Sequence, residues 1–68
     1  MDIKKVIKNL HNTIYGKELL LTATILRSDY WKSISDQKEL LVAQATISFL
    51  EVNIGELKRI LNDLEMCV

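Results

Sequence analysis

The sequence predicts an all-α protein, an antiparallel helical hairpin whose surplus apolar surface points to two hairpins dimerising into a four-helix bundle. Three observations carry this reading. The 68 residues contain no Pro and two Gly, so little interrupts a helix. The second half places apolar residues at alternating steps of three and four, the signature of helix-on-helix packing. One short polar stretch separates the halves, and its length suits a connection between antiparallel neighbours. The whole chain reads as a single domain.

The second helix is the clearer of the two. Leu40, Ala43, Ile47, Leu50, Ile54, Leu57, Leu61, Leu64 and Val68 form an unbroken apolar seam. With Leu40 at heptad position a, the a set continues through Ile47, Ile54, Leu61 and Val68. Ala43, Leu50, Leu57 and Leu64 then occupy d. Asp36 stands three residues before Glu39, the spacing of an N-cap and its capping-box partner; Ser35 would cap equally well. The expected helix covers about residues 36–66. Gly55 lies inside it and costs roughly 1 kcal/mol relative to Ala. Its expected use is to let another helix come close, with a kink as the alternative.

In the first half, Ile3, Ile7, Leu10, Ile14, Leu21 and Ile25 share one face, widened by Val6, Leu20 and Leu26. Lys17 or Glu18 falls where this stripe should continue, beside Gly16. A break near Tyr15-Gly16 is one solution. A single helix over about residues 2–28 is favoured, because the apolar phase agrees on both sides and no N-cap residue follows Gly16. The connection is then expected at about residues 29–35, where Ser and Asp compete with helical hydrogen bonding.

A lone hairpin does not account for all the apolar residues. Val42, Ala45, Phe49 and Val52 make a second stripe on the second helix, and Leu41 and Ile60 flank the seam. A hairpin buries one stripe per helix. Each large side chain left in water forgoes ~1.5–3 kcal/mol, against a net domain stability of only ~5–15 kcal/mol. A homodimer related by a two-fold axis is the expected solution. Charge is consistent with pairing inside the hairpin. Residues 1–35 carry six Lys plus Arg and three Asp plus Glu, and residues 36–68 carry three and six.

Composition narrows the function. An apolar share of 49% with 26% charged residues argues against disorder. One Cys excludes an internal disulfide. His11 and Cys67 are the only soft metal ligands, and structural zinc wants four, so no metal or other cofactor is expected. The opening segment lacks the apolar core of a signal peptide, and a reducing, cytoplasmic setting is expected. The window Leu40–Ile54 is shorter than the ~20 residues of a membrane span and holds Glu51, so no span is expected.

Catalysis has little to stand on. A nucleophile needs a neighbouring base, and in a hairpin turning near residue 32, His11 would face roughly residue 53, several turns from Cys67. There is no phosphate-cradling Gly-rich loop. The protein is therefore expected to be non-enzymatic. Tyr30 and Trp31 are the feature most like a binding hot spot; the alternative is that they fold back, with Ile34, to plug the end of the core. Lys4, Lys5 and Lys8 form a basic face at the start of the first helix. The leading expectation is a homodimeric protein–protein interaction module that modulates, inhibits or scaffolds a larger partner. A nucleic-acid-binding hairpin dimer using those lysines is the alternative, weakened by a net charge of zero. A membrane-associated peptide ranks third.

Overall fold

A computed structural model resolves the architecture into two long helices lying side by side. The structure describes residues 2–67; Met1 and Val68, the last position of the seam, lie outside them. Helix α1 spans Ile3–Ser33 and helix α2 spans Gln37–Met66. No strand occurs among the described residues. The principal extents are 49 × 15 × 15 Å, the shape of one helix pair with no third layer.

Gly16 does not break α1, which is continuous across it. The helix also outlasts its expected end near residue 28 and takes in Asp29–Ser33. The hydroxyl of Ser33 donates to the Tyr30 carbonyl at 2.7 Å, so this Ser satisfies its side chain within the helix. The chain stops only at Ser35, whose φ of 59° is left-handed. There the Asp36 N–H donates to the Trp31 carbonyl at 3.0 Å and the Ser35 N–H to the Lys32 carbonyl at 3.2 Å. These two bonds constitute a Schellman motif, with Ser in the position that usually holds Gly.

Asp36 serves both helices. Its N–H closes α1, and its side chain caps α2 by accepting from the Glu39 N–H at 3.2 Å. The reciprocal half of the capping box is not formed, because the Asp36 N–H is already engaged with Trp31. Ser35, the alternative cap, is used instead for the reversal. At the other end, Asp2 caps α1 by accepting from the Lys4 N–H at 3.0 Å. It supplies the negative charge that the basic first turn itself lacks.

Along α2, Ala43, Leu50, Ile54 and Leu61 are buried, and Leu40, Ile47, Leu57 and Leu64 are half-buried. These positions turn toward α1. On α1 the inward positions are Ile7, Leu10, Ile14, Lys17, Leu21, Thr24, Ser28 and Trp31, again at steps of three and four. This corrects the expected α1 stripe. Leu20, Ile25 and Leu26 are exposed, and Thr24 and Ser28 take the inner places. A long helix pair holds its contact line to a 3.5-residue repeat; counted from Ile14 and Leu21, that repeat selects Thr24 and Ser28 and passes over Ile25. The buried Thr24 hydroxyl is satisfied by the Leu20 carbonyl at 2.8 Å. Lys17 is half-buried at the seam, a position that suits a side chain with an apolar stem and a charged end.

The core is therefore uneven. Ile14, Leu50, Ile54 and Leu61 form one cluster, flanked by Ile7, Leu10, Leu21 and Leu57. It fills the middle of the hairpin and the half toward the free ends. The half next to the turn has Thr24, Ser28 and Ala43 between the helices, with Leu40, Ile47 and Trp31 only half-buried beside them.

Two substitutions check this description by thermal and urea unfolding. Ser35→Gly is expected to stabilise the hairpin by about 1 kcal/mol, because a residue with a Cβ is disfavoured at left-handed φ. Leu50 is 3% exposed, and Leu50→Asp is expected to cost several kcal/mol and abolish the cooperative transition. Wild-type melting of Leu50→Asp would place the seam in water.

Candidate interaction surface

Two shallow grooves run along the hairpin, one on each side of the seam. The back groove is lined by Glu18, Leu21 and Thr22 of α1 and by Glu51, Ile54, Gly55 and Lys58 of α2. Beside it lie the Glu18–Lys58 ion pair and a His11–Glu65 contact. Lys58 Nζ lies 3.3 Å from Glu18 Oε1, and His11 Nε2 lies 3.8 Å from Glu65 Oε2. His11 and Glu18 are one heptad apart on α1, as are Lys58 and Glu65 on α2, so both pairs fall on the same side. The Glu18–Lys58 pair opposes the charge bias of the two halves, which therefore does not govern the pairing.

His11 sits beside Glu65 and not near residue 53. The longer α1 moves the turn from about residue 32 to residues 34–36 and shifts the register of the whole pair. Cys67 is a free, exposed thiol at the end of α2. Among the described residues no cluster of three or more His, Cys, Asp or Glu is placed to hold a metal ion. Nothing lies within 4 Å of a Cβ built on Gly55, so the close approach expected there is not made by α1.

The front groove differs in chemistry. Its walls include Leu20, Thr24, Arg27 and Trp31 from α1 and Glu39, Val42, Ala43 and Thr46 from α2. Phe49 continues the line of Val42 one heptad on, and Gly16, Ala23 and Tyr30 run at heptad spacing beside Leu20 and Arg27. Of the second apolar stripe, Val42 and Phe49 face this side, and Ala45 and Val52 occupy the ridge pointing away from α1. All four are exposed, Val42 at 57%, Phe49 at 66% and Val52 at 64%. Asn53 also falls on the front, and its Oδ1 is buried without a hydrogen-bond donor.

Tyr30 and Trp31 are brought together in the last turn of α1, not in a loop. Their rings meet edge to face, with centroids 4.9 Å apart and an interplanar angle of 65°. Trp31 is half-buried against the front groove, whereas Tyr30 and Ile34 are more than half exposed. The pair thus neither plugs the core fully nor stands free of it. Lys4, Lys5 and Lys8 are all exposed near the free end of α1. Asp63 and Glu65 are exposed in the last turns of α2 at that same end, so acidic groups offset the basic face.

The pattern of α1 hid one feature. Leu19, Leu20 and Leu26 are exposed and add apolar surface in the half near the turn. The signal for it is present in the sequence as polar Lys17, Thr24 and Ser28 at the inward spacing. Helix α2 is also long and apolar enough to cross a membrane by length and composition, with 17% of its most apolar 18-residue window buried.

No family model, curated protein or solved structure matches this chain. The surface chemistry therefore stands on its own geometry. The exposed ion pairs contribute little to it. Glu18→Gln is expected to change the unfolding free energy by less than about 1 kcal/mol, measured by urea denaturation at low and high salt.

Proposed function

We propose that this protein is a small non-enzymatic protein–protein interaction module. It acts as a homodimer, two hairpins making a four-helix bundle, and modulates, inhibits or scaffolds a larger protein in the cytoplasm. The observation that carries this reading is the exposure of Val42, Phe49 and Val52 after α1 and α2 have packed. They join Leu19, Leu20 and Leu26 in one half of the molecule. Val42 and Phe49 share the front with Leu20, and exposed apolar surface of this kind marks an association site.

The Tyr30–Trp31 pair at the edge of this surface is suited to engage the larger partner, because aromatic residues dominate interface energetics. Binding nucleic acid through Lys4, Lys5 and Lys8 is the weaker reading, since Asp63 and Glu65 lie at the same end and the net charge is zero.

Sedimentation equilibrium tests the proposal. A dimer at micromolar concentration is expected, with a melting temperature that rises with protein concentration. A monomer at that concentration with a sharp, concentration-independent transition would overturn it. Micromolar binding to DNA or RNA that falls steeply with salt would favour the basic face instead.

A further inference from the structure

We infer that a second copy of this chain packs on the outer ridge of α2, with the two α2 helices antiparallel and each α1 on the far side. This rests on the homodimer reading above and adds the face, the register and the orientation. The first ground is the direction of the second apolar stripe. Val42, Ala45, Phe49 and Val52 each stand two residues after a seam member, Leu40, Ala43, Ile47 and Leu50. Two residues turn an α-helix by about 200°, so the stripe faces almost directly away from α1, and all four of its residues are exposed. A helix with apolar lines on opposite sides is built for a neighbour on each side. The four helices of the dimer then lie in a row, with the two α2 helices at the centre.

The second ground is that the ridge matches itself. A two-fold axis crossing α2 at the level of residue 47 sets Val42 against the partner's Val52 and Ala45 against the partner's Phe49, each twice by symmetry. Small thereby meets large. Lys38 and Glu56 are exposed on the same ridge, one at each end of the stripe. They are about 27 Å apart within one hairpin, at 1.5 Å per residue, yet the same axis brings each Lys38 level with the partner's Glu56. On one flank, Leu41 falls within a turn of the partner's Gly55. Nothing lies within 4 Å of a Cβ built on Gly55, so the hairpin alone has no need of glycine there, although Gly weakens a helix interior. An incoming leucine supplies the need.

The other arrangements of this ridge lose these matches. Sliding the antiparallel pair by one heptad lays Arg59 on the partner's Val42 in one direction and Lys38 on the partner's Phe49 in the other. A parallel pair sets every residue against its own copy. Phe49 then meets Phe49, Ala45 meets Ala45, and the like charges at Lys38 and at Glu56 are brought together.

The test uses the full chain with Cys67→Ser as background. A nitroxide on Asn62→Cys, an exposed position beyond the stripe, reports the separation of the two α2 C-terminal ends by pulsed electron–electron double resonance. The antiparallel register gives an expected distance of about 45 Å, at 1.5 Å per residue. A distance near ~20 Å, that of parallel neighbouring helices plus the label arms, would overturn the orientation while leaving the homodimer intact. Ala45→Lys is the second arm. Both residues favour a helix and the position is exposed within one hairpin, so monomer helicity is expected to stay unchanged. The dimer Kd is expected to rise at least ~10-fold, because a charge is laid on the partner's Phe49. Undiminished dimerisation of Ala45→Lys would remove the ridge from the interface. A wild-type chain that stays monomeric at all concentrations would overturn both this inference and the homodimer reading.

Discussion

The contact line between α1 and α2 is the constraint from which the other features follow. Two helices can meet along only one seam, and a seam held to 3.5 residues per repeat decides which side chains face inward regardless of their polarity. On α2 every inward position is apolar. On α1 the same rule brings in Lys17, Thr24 and Ser28. The result is a hairpin with a fully buried cluster at Ile14, Leu50, Ile54 and Leu61 and a half beside the turn where Trp31, Leu40 and Ile47 are half-buried. There the larger apolar side chains, Leu20, Leu26, Val42 and Phe49, stand outside.

That half is also held by local chemistry. Asp36 closes α1 with its N–H and opens α2 with its carboxylate, so one residue satisfies orphan groups of both helices. The reversal takes three residues, Ile34 to Asp36, and Ser35 accepts a left-handed backbone to achieve it. A tight turn of this kind fixes the register of the pair. It adds to apolar burial and does not replace it, because helices of this kind draw most of their stability from packing rather than propensity.

The fold was legible in the sequence because its strongest signals are all local and repeated: no Pro, an unbroken α2 seam, and an Asp–Glu pair at the start of that helix. The α1 face was legible only as far as Leu21. Beyond it, Ile25 and Leu26 continue the 3.6-residue stripe of a free helix, whereas packing follows 3.5, and two residues decide the difference. The end of α1 was misplaced for a related reason. Ser28, Asp29 and Ser33 resemble a connection in composition, but within a paired helix their side chains are accommodated, as the Ser33 bond to Tyr30 illustrates. The exposed apolar surface is legible on α2 from Val42, Phe49 and Val52, and hidden on α1, where Leu20 and Leu26 fall within the apparent core stripe. No sequence rule assigns a partner to such a surface, because an apolar stripe carries area and shape but no chemical address.

The uneven core has a consequence for how such a molecule works. If the half beside the turn is completed by association, its local stability depends on the partner. Binding and ordering are then coupled in one region, and whatever covers that region contributes to its stability by mass action. Val42 lines the front groove with Trp31 and also belongs to the ridge of α2, so a larger protein that engages the aromatic pair and this groove meets surface that a second copy would cover. Self-association and partner binding thus draw on overlapping residues. Under the proposed function they are linked equilibria, and the concentration of the chain itself becomes a control on how much of the surface is open to the partner.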